Sequence, residues 1–173
     1  FPAPCTPYAE IKALKPGEEF SFSTTTSSST LSDSWGTGSQ PEPDNNRAAS
    51  TLEKMLLEET ERQAIDLHGQ TAGVLLSGGL DSSLTAAALA RIGMRVQAYC
   101  LDFGDYARTE IEYAEAVAAH LRIPLRLVPC GPEEVWSALP ETISAMDIPY
   151  GDGVTVPLFI ASRELSRDCQ VLF

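Results

Sequence analysis

The run Ser77-Gly78-Gly79-Leu80-Asp81-Ser82-Ser83 stands between the apolar stretch Val74, Leu75, Leu76 and an alanine-rich stretch ending at Ile92. Aliphatic residues, then paired glycines, an acid and serines, then helix formers predict a buried strand, a tight loop and a helix N-terminus. Repeated along the chain, strands alternating with helices argue for a parallel sheet covered on both faces. The loop also has a chemistry. First-turn N–H groups lack partners within a helix and sit at the positive end of its dipole, so phosphate is favoured there.

Two common phosphate loops do not match. The mononucleotide loop needs a lysine followed by serine or threonine, and the dinucleotide fingerprint needs three spaced glycines. This loop offers hydroxyls at Ser77, Ser82 and Ser83, close backbone approach at Gly78 and Gly79, and the carboxylate of Asp81. A carboxylate beside phosphates repels them unless a cation intervenes, so Asp81 points to a Mg²⁺ ligand. Aspartate is also a good N-cap, and that plainer role stands beside the metal role.

The rest of the chain supplies the sheet. Strands are expected at 72–76, 95–101, 125–128 and 170–173, alternating with helices at 83–92, 110–121, 133–146 and 156–165. Pro140 should kink or split the third of these helices. Ahead of them, Leu52, Met55, Leu56, Ala64 and Leu67 recur at helical spacing among glutamates, predicting an amphipathic helix from Asn46 that packs on the sheet. The expected fold class is α/β, a three-layer, doubly wound, mostly parallel sheet, truncated at its end. Such sheets bind ligands beyond the strands' carboxyl ends, where strand order reverses, and the loop follows the first strand.

Residues 21–45 are rich in serine, threonine, proline and glycine and are expected to be a flexible linker, with Phe20, Phe22 and Trp35 able to pin its ends. Residues 1–20 carry a turn signal at Pro16-Gly17, and 46–173 form the main domain. The chain opens on Phe1 and stops inside a core-like strand, so it is expected to be a piece of a longer protein.

Charge narrows the partners. Against 12 lysines and arginines stand 24 acids, a formal charge of −12, which argues against general nucleic-acid or anionic-membrane binding. Cys5, Cys100, Cys130 and Cys169 form no C-x-x-C pair, and His68 and His120 have no partnering spacing, so zinc and disulfide frameworks are poor readings. Cys100 reads as a small buried apolar residue. Without a leader or a spanning apolar run, a reducing cytoplasm is the expectation. Asp147 and Asp152, around Pro149 and Gly151, suit either turn chemistry or a substrate pocket.

The loop resembles the SGGxDS loop of the PP-loop ATP pyrophosphatases, and its Leu-Asp-Ser-Ser form after Val-Leu-Leu resembles the asparagine synthetase version. Three other stretches resemble that family. TPYAEIKALKPGE is similar to the segment closing its N-terminal glutaminase domain, and AYCLDFGDYARTEIEYAEAVAAHL to its second strand, loop and third helix. In the latter, Thr109-Glu110 stands where the family has an acidic pair. AMDIPYGDGVTVPLFIASREL is similar to its acid-x-proline turn and following helix.

The resemblance implies the adenine-nucleotide α-hydrolase fold and an ATP-dependent, glutamine-hydrolysing amide-forming synthetase. A carboxylate would attack the α-phosphorus of ATP, pyrophosphate would leave, and ammonia from glutamine or another amine would displace AMP. Ser77, Gly78, Gly79, Leu80, Ser82 and Ser83 would cradle pyrophosphate, Asp81 would hold Mg²⁺, and Leu76 and Leu101 would contact adenosine. A second glycine-rich acidic motif would follow Phe173, and the glutaminase cysteine would precede Phe1, with Cys5 in the wrong context to be it. No complete catalytic set lies in these residues, and the isolated piece is expected to be inactive. Lasso-peptide and β-lactam-type cyclases, tRNA-modifying PP-loop enzymes, and a nucleotide-binding piece without catalysis remain open.

Overall fold

The computed structural model describes residues 3–22, 25, 27–31, 44–67, 69–147 and 151–173; Trp35, His68 and Pro149 lie outside them. Two strands, β1 (Glu18–Phe22) and β2 (Ser27–Leu31), pair antiparallel. They place regular structure within the stretch whose composition predicts a linker. Pro16-Gly17 makes the expected turn into β1: Gly17 has φ 75°, and the Glu18 amide donates to the Lys15 carbonyl at 2.9 Å. Phe20 is exposed, so it pins nothing.

Next come α1 (Asn45–Ala64), β3 (Thr71–Leu75), α2 (Leu80–Arg91), β4 (Arg95–Asp102), a 3-10 turn (Gly104–Ala107), α3 (Arg108–Leu121) and β5 (Leu125–Pro129). The chain continues through α4 (Pro132–Ala145), α5 (Thr155–Leu165) and β6 (Val171–Leu172). β3, β4, β5 and β6 form one parallel sheet in the order β5-β4-β3-β6. The chain therefore winds outward from β3 to β5, crosses back, and adds β6 on the other side of β3. Strand order reverses between β3 and β6, as a doubly wound sheet requires.

Period-two alternation divides the strands between two cores. Ala72, Val74 and Leu76, with Val96, Ala98 and Cys100, pack under Ala86 and Leu89 of α2 and Ala114 and Ala118 of α3. Tyr99 and Val128 face the other way, against Ala138 of α4 and Ile160, Ala161 and Leu165 of α5. Helices on both faces make three layers. Gly73 lets α5 come close, since a Cβ there would lie 2.6 Å from Leu165 Cδ2. Among the described residues no helix is long and apolar enough to cross a membrane.

Two elements depart from expectation. α1 is capped by Asp44, whose Oδ1 accepts from the Asn46 and Arg47 amides, but it rests on α2 instead of on the sheet. Thr60 and Ala64 are its buried residues, while Leu52 and Met55 stay 62% and 60% exposed. α2 and α3 already cover that sheet face, so α1 is left a peripheral seat in which Leu56 and Leu57 are half-buried. Pro140 does not split α4, which runs unbroken from Pro132 to Ala145. The hydrogen bond it deletes would end on Trp136, which is exposed, so water can take that carbonyl, while buried Ala138 and Thr142 hold the opposite side.

The thiols separate by environment. Burial pushes Cys100 up to about 11, with the carboxylates of Glu110, Asp102 and Glu115 adding to it; Cys130 is raised by burial and Glu134. Cys5 is exposed. In native buffer at mildly alkaline pH, iodoacetamide should modify Cys5 promptly and leave Cys100 and Cys130 intact until urea unfolds the chain, as mass spectrometry of the digests would reveal.

Candidate anion site at the switch point

The sheet itself aims the loop. Leu76 extends β3 by one bond, its amide donating to the Tyr99 carbonyl at 2.7 Å, and the chain then leaves the carboxyl edge. Gly78 takes φ 75° and Gly79 returns to extended backbone as the N-cap of α2. The helix begins at Leu80, ahead of the expected Ser83, so Asp81, Ser82 and Ser83 belong to its first turn. The serines do not break the helix because their hydroxyls fold back: Ser83 Oγ donates to the Gly79 carbonyl at 2.7 Å and Ser82 Oγ at 3.3 Å.

Gly79 has no side chain, and no side chain caps this helix end. The first-turn amides are thus left for an external acceptor. Asp81 is the second helical residue, so it is not the N-cap; its side chain is exposed. Around the turn, Ser77 Oγ lies 3.3 Å from Ser82 Oγ, the Gly79 amide donates to Ser77 Oγ at 3.4 Å, and the Ser77 amide to Ser82 Oγ at 3.4 Å. Bonds this long are weak and are readily exchanged for phosphate oxygens.

Gly78 is held from behind. A Cβ on it would lie 2.3 Å from Tyr113 Cβ and 2.8 Å from both the Ala114 nitrogen and the Tyr113 carbonyl carbon. The loop backbone therefore lies directly on the middle of α3. Composition gave no hint of this contact, which the fully buried Ala114 beside Tyr113 makes possible.

The expected site residues do not all converge. Ser77, Gly78, Gly79, Asp81, Ser82 and Ser83 share the one turn, while Leu80 projects outward, 74% exposed. Leu76 is fully buried in the α2/α3 core and offers a ligand only backbone. Leu101 belongs to the opposite core, partly buried beside Tyr99. Asp102, not singled out in the sequence, ends β4 at the same edge and accepts from the Gly104 amide at 2.8 Å; its signal was the Asp-x-Gly spacing. Asp147 is exposed. Asp152 serves the start of α5, accepting from the Val154 and Thr155 amides and from Thr155 Oγ1 at 2.6 Å. The Thr155 hydroxyl chiefly holds its carboxyl below the usual range.

Among the described residues no three His, Cys, Asp or Glu side chains group to hold a metal by themselves. A groove of about 580 Å³ lies at the opposite edge, between the end of α1 and the starts of β3 and β4, lined by Ile65, Gly69, Met94 and Arg95 among others. The loop lies away from it, and none of Ser77 to Ser83 lines it.

Known proteins are similar to this chain in sequence and in fold. Residues 51–173 match the family model described as asparagine synthase. Over 98% of its length the chain is 24% identical to asparagine synthetase [glutamine-hydrolyzing] 1 of Bacillus subtilis, and it spans 27% of that relative. Over 54% of its length it is 34% identical to 7-cyano-7-deazaguanine synthase of Parasynechococcus marenigrum, spanning 43% of it. In fold it is similar to the glutamine-dependent NAD+ synthetase of Acinetobacter baumannii, with a TM-score of 0.53 at 16% identity, covering 83% of this chain and 27% of that one. With the family model matching most of its length, from α1 through β6, the chain belongs to the asparagine synthase family.

Proposed function

We propose that this chain carries the pyrophosphate-binding part of an ATP-dependent amide-forming synthetase that adenylates a carboxylate and then joins it to ammonia or an amine. One observation carries the reading: a helix N-terminus with no side-chain cap, ringed by serine hydroxyls, at the switch point of a parallel sheet. As a carboxylate oxygen attacks the α-phosphorus, the bond to the β-phosphate oxygen breaks and pyrophosphate departs with its electrons. The amides of the first turn and the hydroxyls of Ser77, Ser82 and Ser83 stabilise the charge that develops on it. Gly78 and Gly79 let that charge approach the backbone.

Asp81 fits a Mg²⁺ role, because this ion typically takes one or two carboxylates and completes its shell with phosphates and water. Mg²⁺ would supply neutralisation of the phosphate charge. The carboxylate is aspartate in this reading, the nitrogen comes from glutamine through an upstream glutaminase domain, and the free thiols suit the cytoplasm. A second reading, synthesis of a 7-cyano-7-deazaguanine type product, draws on the 34% identity over 97 residues.

In the full chain, exchange of labelled pyrophosphate into ATP should require the carboxylate substrate. Aspartate as the stimulating acid favours the first reading, and a 7-deazaguanine bearing a carboxyl group favours the second. Asp81→Ala should lower exchange on the order of a hundredfold. Undiminished exchange in that variant removes Asp81 from the metal role.

A further inference from the structure

The anion site has a side on α3 that the loop sequence does not reveal. Tyr113 lies against the loop: its Cβ would be 2.3 Å from a Cβ on Gly78, yet 60% of the residue is exposed. Its side chain thus starts at the loop and runs outward toward solvent instead of into the core. α3 begins at the carboxyl edge of the sheet, directly after β4 and the 3-10 turn. Cα–Cβ bonds in a helix tilt toward its N-terminus, so Tyr113 leans toward the edge where the loop amides open.

The hydroxyl at its tip has no hydrogen-bond partner among the described residues. The loop, for its part, contains no lysine or arginine; along α3 Glu110, Glu112 and Glu115 flank Tyr113 in sequence, and Arg108 at the helix start pairs with Asp105 at 3.5 Å. A bound polyanion therefore needs neutral donors, and a phenol is one that adds no repulsion. We infer that Tyr113 forms the α3 wall of the anion site and donates its hydroxyl to a phosphate oxygen held by Ser77 to Ser83. The inference rests on the phosphate-binding reading of the loop and adds to it a residue from a different element.

Titration calorimetry of the full chain with pyrophosphate, and separately with adenosine, tests it. Tyr113→Phe should weaken pyrophosphate about tenfold, the loss expected for one hydrogen bond to a charged group, and leave adenosine affinity unchanged. Because the residue is largely exposed, the urea midpoint of the variant should match that of the parent. Equal pyrophosphate affinity in parent and variant overturns the role of Tyr113 and leaves the loop reading standing. Equal losses for both ligands also overturn it, because a general distortion then explains the change. A parent chain that binds no pyrophosphate overturns the loop reading and this inference together.

Discussion

Gly78→Ala is expected to abolish pyrophosphate binding and to destabilise the fold by about 2–4 kcal/mol, the sum of forcing an L-residue into left-handed backbone and overpacking a filled site. The new methyl would lie 2.3 Å from Tyr113 Cβ and 2.8 Å from two backbone atoms of α3. Backbone cannot rotate aside as a lysine tip can, so either the loop lifts off α3 or α3 moves off the sheet. Both outcomes displace the first turn of α2. The neighbouring glycine is the control: Gly79 has φ −70°, and a Cβ there meets only Ser77 Oγ at 3.3 Å. Gly79→Ala should therefore fold almost normally. Calorimetry with pyrophosphate and urea denaturation of both variants decides the matter, and a Gly78→Ala chain that binds like its parent would show that the wedge against α3 is irrelevant.

The other large effect is expected in the core. Tyr99 is the largest fully buried side chain among the described residues, and its hydroxyl donates to Asp168 Oδ2 at 3.0 Å. Arg126 Nη1 donates to the same oxygen at 2.8 Å, so β4, β5 and the turn before β6 meet at one carboxylate. Tyr99→Ala should cost about 3–5 kcal/mol by opening a cavity between the sheet and α5. Tyr99→Phe removes the hydroxyl and should cost about 1 kcal/mol. Burial, with the bonds to Cys169 and Asp168 adding to it, holds the Tyr99 hydroxyl above its ordinary range. The unfolded chain loses that proton near pH 10 while the folded chain keeps it, so this contribution is present below about pH 10 and falls away as pH rises further. Urea midpoints measured across alkaline pH should decline more steeply for the parent than for Tyr99→Phe; identical slopes would remove Tyr99 as the cause.

The parallel sheet was legible because its strands carry short aliphatic runs and its helices a different period, and those patterns survive whatever the partners are. The seat of α1 was not. Its apolar stripe states that something should cover Leu52 and Met55, but α2 and α3 occupy the sheet face first, and that competition is absent from local pattern. That Pro140 leaves α4 unsplit was hidden for a related reason: the cost of a proline depends on whether the orphaned carbonyl meets water, which is a property of the helix's neighbours. At the site, the serines, glycines and Asp81 were legible because one turn fixes them at sequential positions. The start of α2 was set late by the hydroxyls, which bond inward to Gly79 where their type suggested loop. Tyr113 could not be foreseen, since it reaches the loop only through the packing of α3 beside α2.

The strand order also sets unequal assembly costs for the two sides of the loop. β3 joins β4, and β4 joins β5, each through a single short crossover, whereas β6 must return past both; the bond from the Thr71 amide to Gln170 Oε1 spans 99 positions. Longer closures cost more chain entropy, about 0.6 kcal/mol for each doubling of length. Against that cost β6 registers Val171 with Ala72 and Leu172 with Gly73, and the Phe173 amide donates to the Gly73 carbonyl at 3.0 Å. The β6 side of the loop is thus the more expensive to form, while its β4 and α3 side is built from elements closer along the chain.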